Sequence, residues 1–109
     1  MVMTPKRHFD LVYAPIFKDH LRVIEPKYYA LIRKTIEDQL LFEPDVQTRN
    51  RKPLKRPVDF GAQWELRLGP DNSLRVFYKI DHENMKVNIL AIGEKHSERL
   101  IIGGEVIRL

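Results

Sequence analysis

The chain of 109 residues has no cysteine. Disulfides and thiolate-bound metals are therefore excluded. Its four histidines, His8, His20, His82 and His96, are scattered and show none of the close spacing of a zinc site. No metal and no cofactor are expected. No apolar run approaches the roughly 18 residues of a membrane-spanning helix, so no membrane partner is expected. The start, MVMTPKRHFD, lacks the apolar stretch of a secretory signal, which points to a cytoplasmic protein. Nucleotide loops of the GxxxxGKS/T and GxGxxG types are missing, and so is the GxSxG elbow of serine hydrolases.

What is present is an ordinary globular composition, 43% hydrophobic and 31% charged, in a length that suits one domain over residues 1–109. The net charge is a modest +4, but its distribution is uneven. From Val46 to Val58 there is no acidic residue, while Arg49, Arg51, Lys52, Lys55 and Arg56 are basic. Such a run attracts polyanions or an acidic protein; the alternative is a solvated loop.

Element by element, FDLVYAP (Phe9 to Pro15) reads as a first strand, and Ile16, Phe17, Leu21 and Ile24 recur as in a short helix. In EPKYYALIRKTIEDQLLFEP, Pro26 suits a first helical turn and Tyr29, Ile32, Ile36 and Leu40 form one apolar stripe. Pro44 ends that helix. A long polar loop is expected from Glu43 to Gln63. Three strands follow, Gln63 to Leu68, Leu74 to Asp81 and Lys86 to Glu94, with turns at GPDNS and HENM. The last strand is apolar on both faces at Ile89, Leu90, Ala91 and Ile92, as a central strand covered on both sides would be. The tail reads as one helical turn at Ser97 to Ile102. The expected fold is α+β: an N-terminal strand, two helices packed on one face of a mainly antiparallel sheet of about four strands, and a short C-terminal segment.

The hairpin WELRLGPDNSLRVFYKI sets the functional question. Pairing around Asp71 places Arg67 across from Arg75, and opposed like charges destabilise a sheet. Leu66, Leu68, Val76, Tyr78 and Ile80 would face the helices, leaving Glu65, Arg67, Arg75 and Lys79 on the other side as a basic groove. Arginine cannot act as a base, but its planar donors match two phosphate oxygens. Two facing arginines thus cease to be a liability with an anion between them. Glu65, diagonal to Arg75, is either a neutralising surface charge or a general base. Lys95 and His96, in GEKH after the central strand, lie near the arginines; His96 is either simply solvated or a proton donor to a leaving oxygen.

The ordered set RKPLKRP, WELRLG, LRVFYKID and VNILAIGEK resembles the RelE/ParE superfamily of bacterial toxins from type II toxin–antitoxin systems, and within it the RelE-like branch, over roughly Phe9 to Ile102. The resemblance implies two N-terminal helices on an antiparallel sheet and metal-independent cleavage of mRNA in the ribosomal A site, the ribose 2′-hydroxyl attacking the adjacent phosphate. By position, Arg75 matches the family's phosphate-holding arginine, Arg67 a strand lysine, and Lys95 a basic residue after the last strand. Arg51, Lys52, Lys55 and Arg56 would bind RNA backbone, of ribosome or message. Glu65 replaces another family lysine, similar to relatives that pair a glutamate base with a histidine acid, here His96. The C-terminal tyrosine of many members is missing, with Leu100 and Ile101 in its region. The family also implies a cognate antitoxin in a toxin–antitoxin hetero-oligomer. Two other readings are a ParE-like toxin that poisons DNA gyrase without catalytic residues, and a degenerate member that binds only RNA or antitoxin. The convergent cations Arg67, Arg75 and Lys95 favour the interferase.

Overall fold

The computed structural model describes residues 8–56 and 60–107. The opening seven residues, read above as no signal, and the end of the acid-free run at 57–58 lie outside them. The order is β1 (Asp10–Tyr13), α1 (Ile16–Leu21), α2 (Tyr29–Leu40), β2 (Arg51–Pro53), β3 (Trp64–Leu68), β4 (Leu74–Asp81), β5 (Lys86–His96), β6 (Arg99–Ile102) and β7 (Glu105–Ile107). All strands join one sheet in the order β2-β3-β4-β5-β6-β7, with β1 also on β5. Only the β1–β5 pairing is parallel. The expected α+β fold with helices against one sheet face is what forms.

The helices follow their local chemistry. Pro26 opens a single 3-10 turn, Pro26–Tyr28, that leads into α2. Ile32, Ile36 and Leu40 recur every fourth residue and are all buried. The solvent face of α2 carries Arg33–Glu37 and Lys34–Asp38 pairs at 3.2 and 3.1 Å. Exposed pairs of this spacing add only about 0.2–0.5 kcal/mol each, so burial holds the helix in place. Tyr29 donates its hydroxyl to the carbonyl of Leu21, 2.6 Å away, and so closes the end of α1.

The main core lies between the helices and one sheet face. There Phe17, Ile24, Ile32, Ile36 and Leu40 meet Leu66, Leu68, Val76, Tyr78, Ile89 and Ile92. Each fully buried aliphatic side chain contributes about 1.5–3 kcal/mol. Tyr78 points into this core and donates to the Pro44 carbonyl at 2.7 Å, which ties the chain after α2 to the sheet. Burial raises its phenol well above the ordinary range and keeps it a neutral donor.

β5 is central and covered on both sides, as its sequence suggested. A bulge between the Phe77–Ala91 and Tyr78–Ile89 pairs takes up Leu90. Ile89 and Ile92 therefore reach the main core, while Leu90 and Ala91 join a second cluster with Ala62, Phe77, Leu100 and Ile102. The face away from the helices is thus partly filled and not open throughout.

Three expectations need correction. The sheet has more strands than the four expected. The Glu43–Gln63 loop contains β2, a strand too short to carry a period. The tail forms no helical turn at Ser97 to Ile102: Ser97 adopts a positive φ of 58°, and β5 turns back into β6. Gly103 and Gly104, with φ of 60° and 83°, then turn β6 into β7.

Among the described residues no helix is long and apolar enough to cross a membrane.

The outer edge of β5 changes partner midway, and α1 fills the gap. β1 pairs with Lys86–Ile89 and β6 with Gly93–His96. Between them the Ile92 amide donates to His20 Nδ1 at 3.3 Å. That bond needs an unprotonated nitrogen, and burial lowers the His20 pKa below its ordinary value, with Asp19 opposing. The unfolded chain therefore binds the proton more readily, so the His20 contribution is complete above about pH 6.5 and is lost as pH falls below it. Urea unfolding at about pH 7.5 and 5.5 should show a larger acid-induced loss in wild type than in His20→Asn, whose amide oxygen keeps an acceptor without titrating. Equal losses would remove His20 from the account.

Gly93 sets how closely β6 approaches. A Cβ there would lie 2.6 Å from the Ile101 carbonyl oxygen and 2.7 Å from Ile102 Cγ1. Gly93→Ala should destabilise by about 1–3 kcal/mol and speed amide exchange in β6 and β7, measured by denaturation and hydrogen exchange.

Candidate active site on the sheet face

Residues opposite each other on neighbouring strands share a face, and residues two apart along a strand do too. Arg67 on β3 pairs with Arg75 on β4, which pairs with Gly93 on β5. One step along, Lys52 on β2 pairs with Glu65, which pairs with Phe77. Lys52, Glu65, Arg67 and Arg75 therefore project together from the face turned away from the helices. The opposite face of the same strands carries Leu66, Leu68 and Val76 into the core. Slipping the register by one residue would bury the charges and expose the core, so packing on one face fixes the arrangement on the other.

Glu65 resolves the clash of the two arginines. Its Oε1 accepts from Arg75 Nη1 and lies 3.4 Å from Arg67 Nε. The Glu65 and Arg75 side chains keep only 9% and 12% of their surface exposed, whereas Arg67 keeps 37%. Arg75 Nε also donates to the Asn72 carbonyl at 2.9 Å. Arg75 is thus held on two sides inside the sheet surface. Arg67 Nε is itself buried without a hydrogen bond, since its approach to Glu65 meets the distance of an ion pair but not the geometry of a hydrogen bond. The Arg67 side chain is thus the more exposed of the two, and its unsatisfied Nε lies beneath that exposed surface.

The backbone around the pair is pinned from both sides. The Arg67 amide donates to the Asn50 carbonyl at 2.8 Å, and Asn50 Nδ2 returns a bond to the Arg67 carbonyl at 3.1 Å. The Lys95 amide donates to the Ser73 carbonyl at 2.7 Å. That bond draws the end of β5 against the β3–β4 turn, where Asp71 and Asn72 adopt positive φ values of 52° and 53°. A cleft of about 490 Å³ opens between the turn and the strand end, lined by Asn72, Ser73, Arg75, Lys95, His96 and Ser97 among others. Lys95 is exposed and follows Gly93 on the arginine face. His96 alternates to the other side, where Nε2 lies 3.3 Å from Glu94 Oε2, and reaches the cleft at its rim.

The loop cations separate. Lys55 and Arg56 are exposed beyond β2. Arg51, grouped with them from sequence, is placed apart: it is buried on the helix side of β2, where Nη1 donates to the Gln39 carbonyl at 2.6 Å and Nε to the Val46 carbonyl at 3.0 Å. Glu43 lies 3.8 Å from its Nη2. Its donors close the end of α2 instead of facing solvent. Lys52, its neighbour, points the other way and stands opposite Glu65. Among the described residues no group of three or more histidine, aspartate or glutamate side chains is placed to hold a metal.

Neither the family models nor the curated proteins contain a match to this chain. Among solved structures, a chain of the toxin–antitoxin complex RelBE2 from Mycobacterium tuberculosis superposes with a TM-score of 0.59 at 22% identity, covering 81% of this chain and 99% of that one. The fold is RelE-like. That agrees with the motifs noted in the sequence, and it places the Glu65–Arg67–Arg75 cluster on the sheet face of a RelE-like fold. Sequence reasoning placed Lys52 among the loop cations, because its partner Glu65 on β3 is visible only in the strand register, and it gave no role to Gly93, which lets Ile102 lie beside Arg75.

Removal of the shared carboxylate should expose the like-charge conflict. Glu65→Ala should lower stability by about 3 kcal/mol, as for a mostly buried ion pair that loses one member. Phosphate should restore part of the loss relative to chloride at equal ionic strength, and by more than it stabilises wild type. Urea denaturation in the two salts measures both effects; an equal response in both proteins would show that no anion enters between the arginines.

Proposed function

We propose that the protein is the toxin of a toxin–antitoxin pair and acts in the cytoplasm as an endoribonuclease on translated mRNA at the ribosome. The observation that carries this reading is a carboxylate shared by two arginines, with Lys52 and Lys95 on the same face. Such a site supplies a base and preorganised donors for charge that develops on a phosphate. The RelE-like fold supports it, as does the similar structure from Mycobacterium tuberculosis, itself a toxin–antitoxin complex.

In the proposed reaction, Glu65 takes the proton of a ribose 2′-hydroxyl. The 2′-oxygen forms a bond to the adjacent phosphorus and the bond to the 5′-oxygen breaks. The products are a 2′,3′-cyclic phosphate and a 5′-hydroxyl. Arg67, with Lys52, holds the non-bridging oxygens, and Arg75 holds Glu65 in place from behind. Lys95 adds positive charge from the cleft, and His96 at its rim donates a proton to the leaving oxygen. Lys55 and Arg56 contact RNA backbone.

An antitoxin completes the proposal. Between α1 and α2 lies an apolar groove of about 440 Å³, lined by Tyr13, Phe17, Leu21, Tyr29, Ile32 and Ile36. Lys18, Arg33 and Glu37 also line it, Arg33 paired with Glu37, which leaves Lys18 as its uncompensated charge. An amphipathic segment with an acidic residue near Lys18 fits that surface.

The test is inducible expression in bacteria of wild type, Arg67→Ala and Glu65→Gln, with growth and mRNA 5′ ends followed together. Wild type should arrest growth and create new 5′ ends inside translated codons, and each variant should lower cleavage by at least about a hundredfold. Arrest with intact mRNA and damaged DNA would replace this reading by the gyrase poison. Unchanged growth and mRNA with folded protein would leave a binding protein.

A further inference from the structure

We propose that Phe60 is a stacking platform for the nucleobase beside the phosphate held at Arg67, an inference that rests on the RNA reading above. Between the end of β2 and the start of β3 the Leu54 amide donates to the Gln63 carbonyl at 2.9 Å. Lys55 and Arg56, next to Leu54, are exposed, and Phe60, shortly before β3, is half-buried. The Phe60 ring meets Phe77 edge-to-face with centroids 5.6 Å apart. Phe77 is fully buried and stands directly across from Glu65. The aromatic surface that remains exposed at Phe60 thus lies one side chain away from the carboxylate that joins the two arginines.

Phe60 packs against the cluster of Ala62, Phe77 and Ala91 on this face and is only partly buried there, so part of the ring stays open to solvent. An aromatic ring beside a cationic track is the arrangement that holds single-stranded nucleic acid, because every base has a face to stack and every nucleotide a phosphate to neutralise. Stacking on one ring changes affinity by roughly 5- to 150-fold. It is insensitive to salt, whereas Lys55 and Arg56 act through phosphate and carry the salt dependence.

The experiment uses the full chain and a short 2′-O-methyl RNA, which has no nucleophile to cleave, beside an abasic oligomer of equal charge. Wild type should bind the base-bearing oligomer about tenfold more tightly than the abasic one. Phe60→Leu should abolish that difference and leave abasic binding and the salt slope unchanged, while Phe60→Trp preserves it. In a readout that needs no variant, 2-aminopurine placed along the oligomer should be quenched at one position on binding wild type. Equal affinity of wild type for both oligomers, equal binding by Phe60→Leu and wild type, or no quenching at any position would each overturn the platform while RNA binding stands. Wild type that binds neither oligomer would overturn the RNA reading together with it.

Discussion

Two guanidinium groups can face each other across β3 and β4 because a carboxylate from the same face lies between them. Each arginine alone is an ordinary surface residue, and Glu65 alone would be a poorly solvated anion. Together they form a compact triad in which Glu65 and Arg75 are almost wholly covered and Arg67 is left partly in water. Desolvating two charges takes several kcal/mol each, and the attraction between them offsets this only with good geometry. The geometry comes from the opposite face, where the strands are locked in register by the core. Stability and site are therefore written on alternate residues of the same two strands.

The same alternation explains how adjacent cations acquire opposite roles. Arg51 and Lys52 are one residue apart, so one side chain enters the layer under α2 and the other stands beside Glu65. Arg51 is accepted there because its donors find carbonyls left open at the end of a helix, with Glu43 near its charge. The guanidinium satisfies several acceptors at once, which a lysine in that place would not.

Much of this was legible in the sequence, and the parts that were not share a physical cause. The β3–β4 hairpin and α2 announce themselves because strict alternation and a four-residue stripe extend over enough residues to be unambiguous. Leu90 and Ala91 betrayed a two-sided strand, although not the bulge that produces it. β2 escaped because three residues carry no period. β6 and β7 escaped because Ser97 adopts a backbone conformation that its side chain does not favour, so that no local signal marked the turn; the Gly-Gly pair between Leu100–Ile102 and Glu105–Ile107 was the sign of a hairpin there. For the site, residue types identified Arg67, Arg75 and Glu65 as neighbours. Which arginine faces solvent depends on the β3–β4 turn that holds Arg75 through Asn72, and that is a tertiary fact.

The triad also links proton and phosphate in the proposed reaction. The arginines that hold Glu65 are not passive once a phosphate arrives. As Glu65 takes the 2′-hydroxyl proton, its negative charge disappears at the moment negative charge builds on the phosphate oxygens. The guanidinium groups it had been neutralising are then without a counter-ion, with Arg67 the more exposed of the two. The loss of one anion and the growth of another are complementary, and the cations need not move far between them. Preorganised donors of this kind stabilise a transition state more than the ground state that precedes it. In this reading the sharing of Glu65, which looks at rest like a structural repair for two opposed arginines, is what times their release.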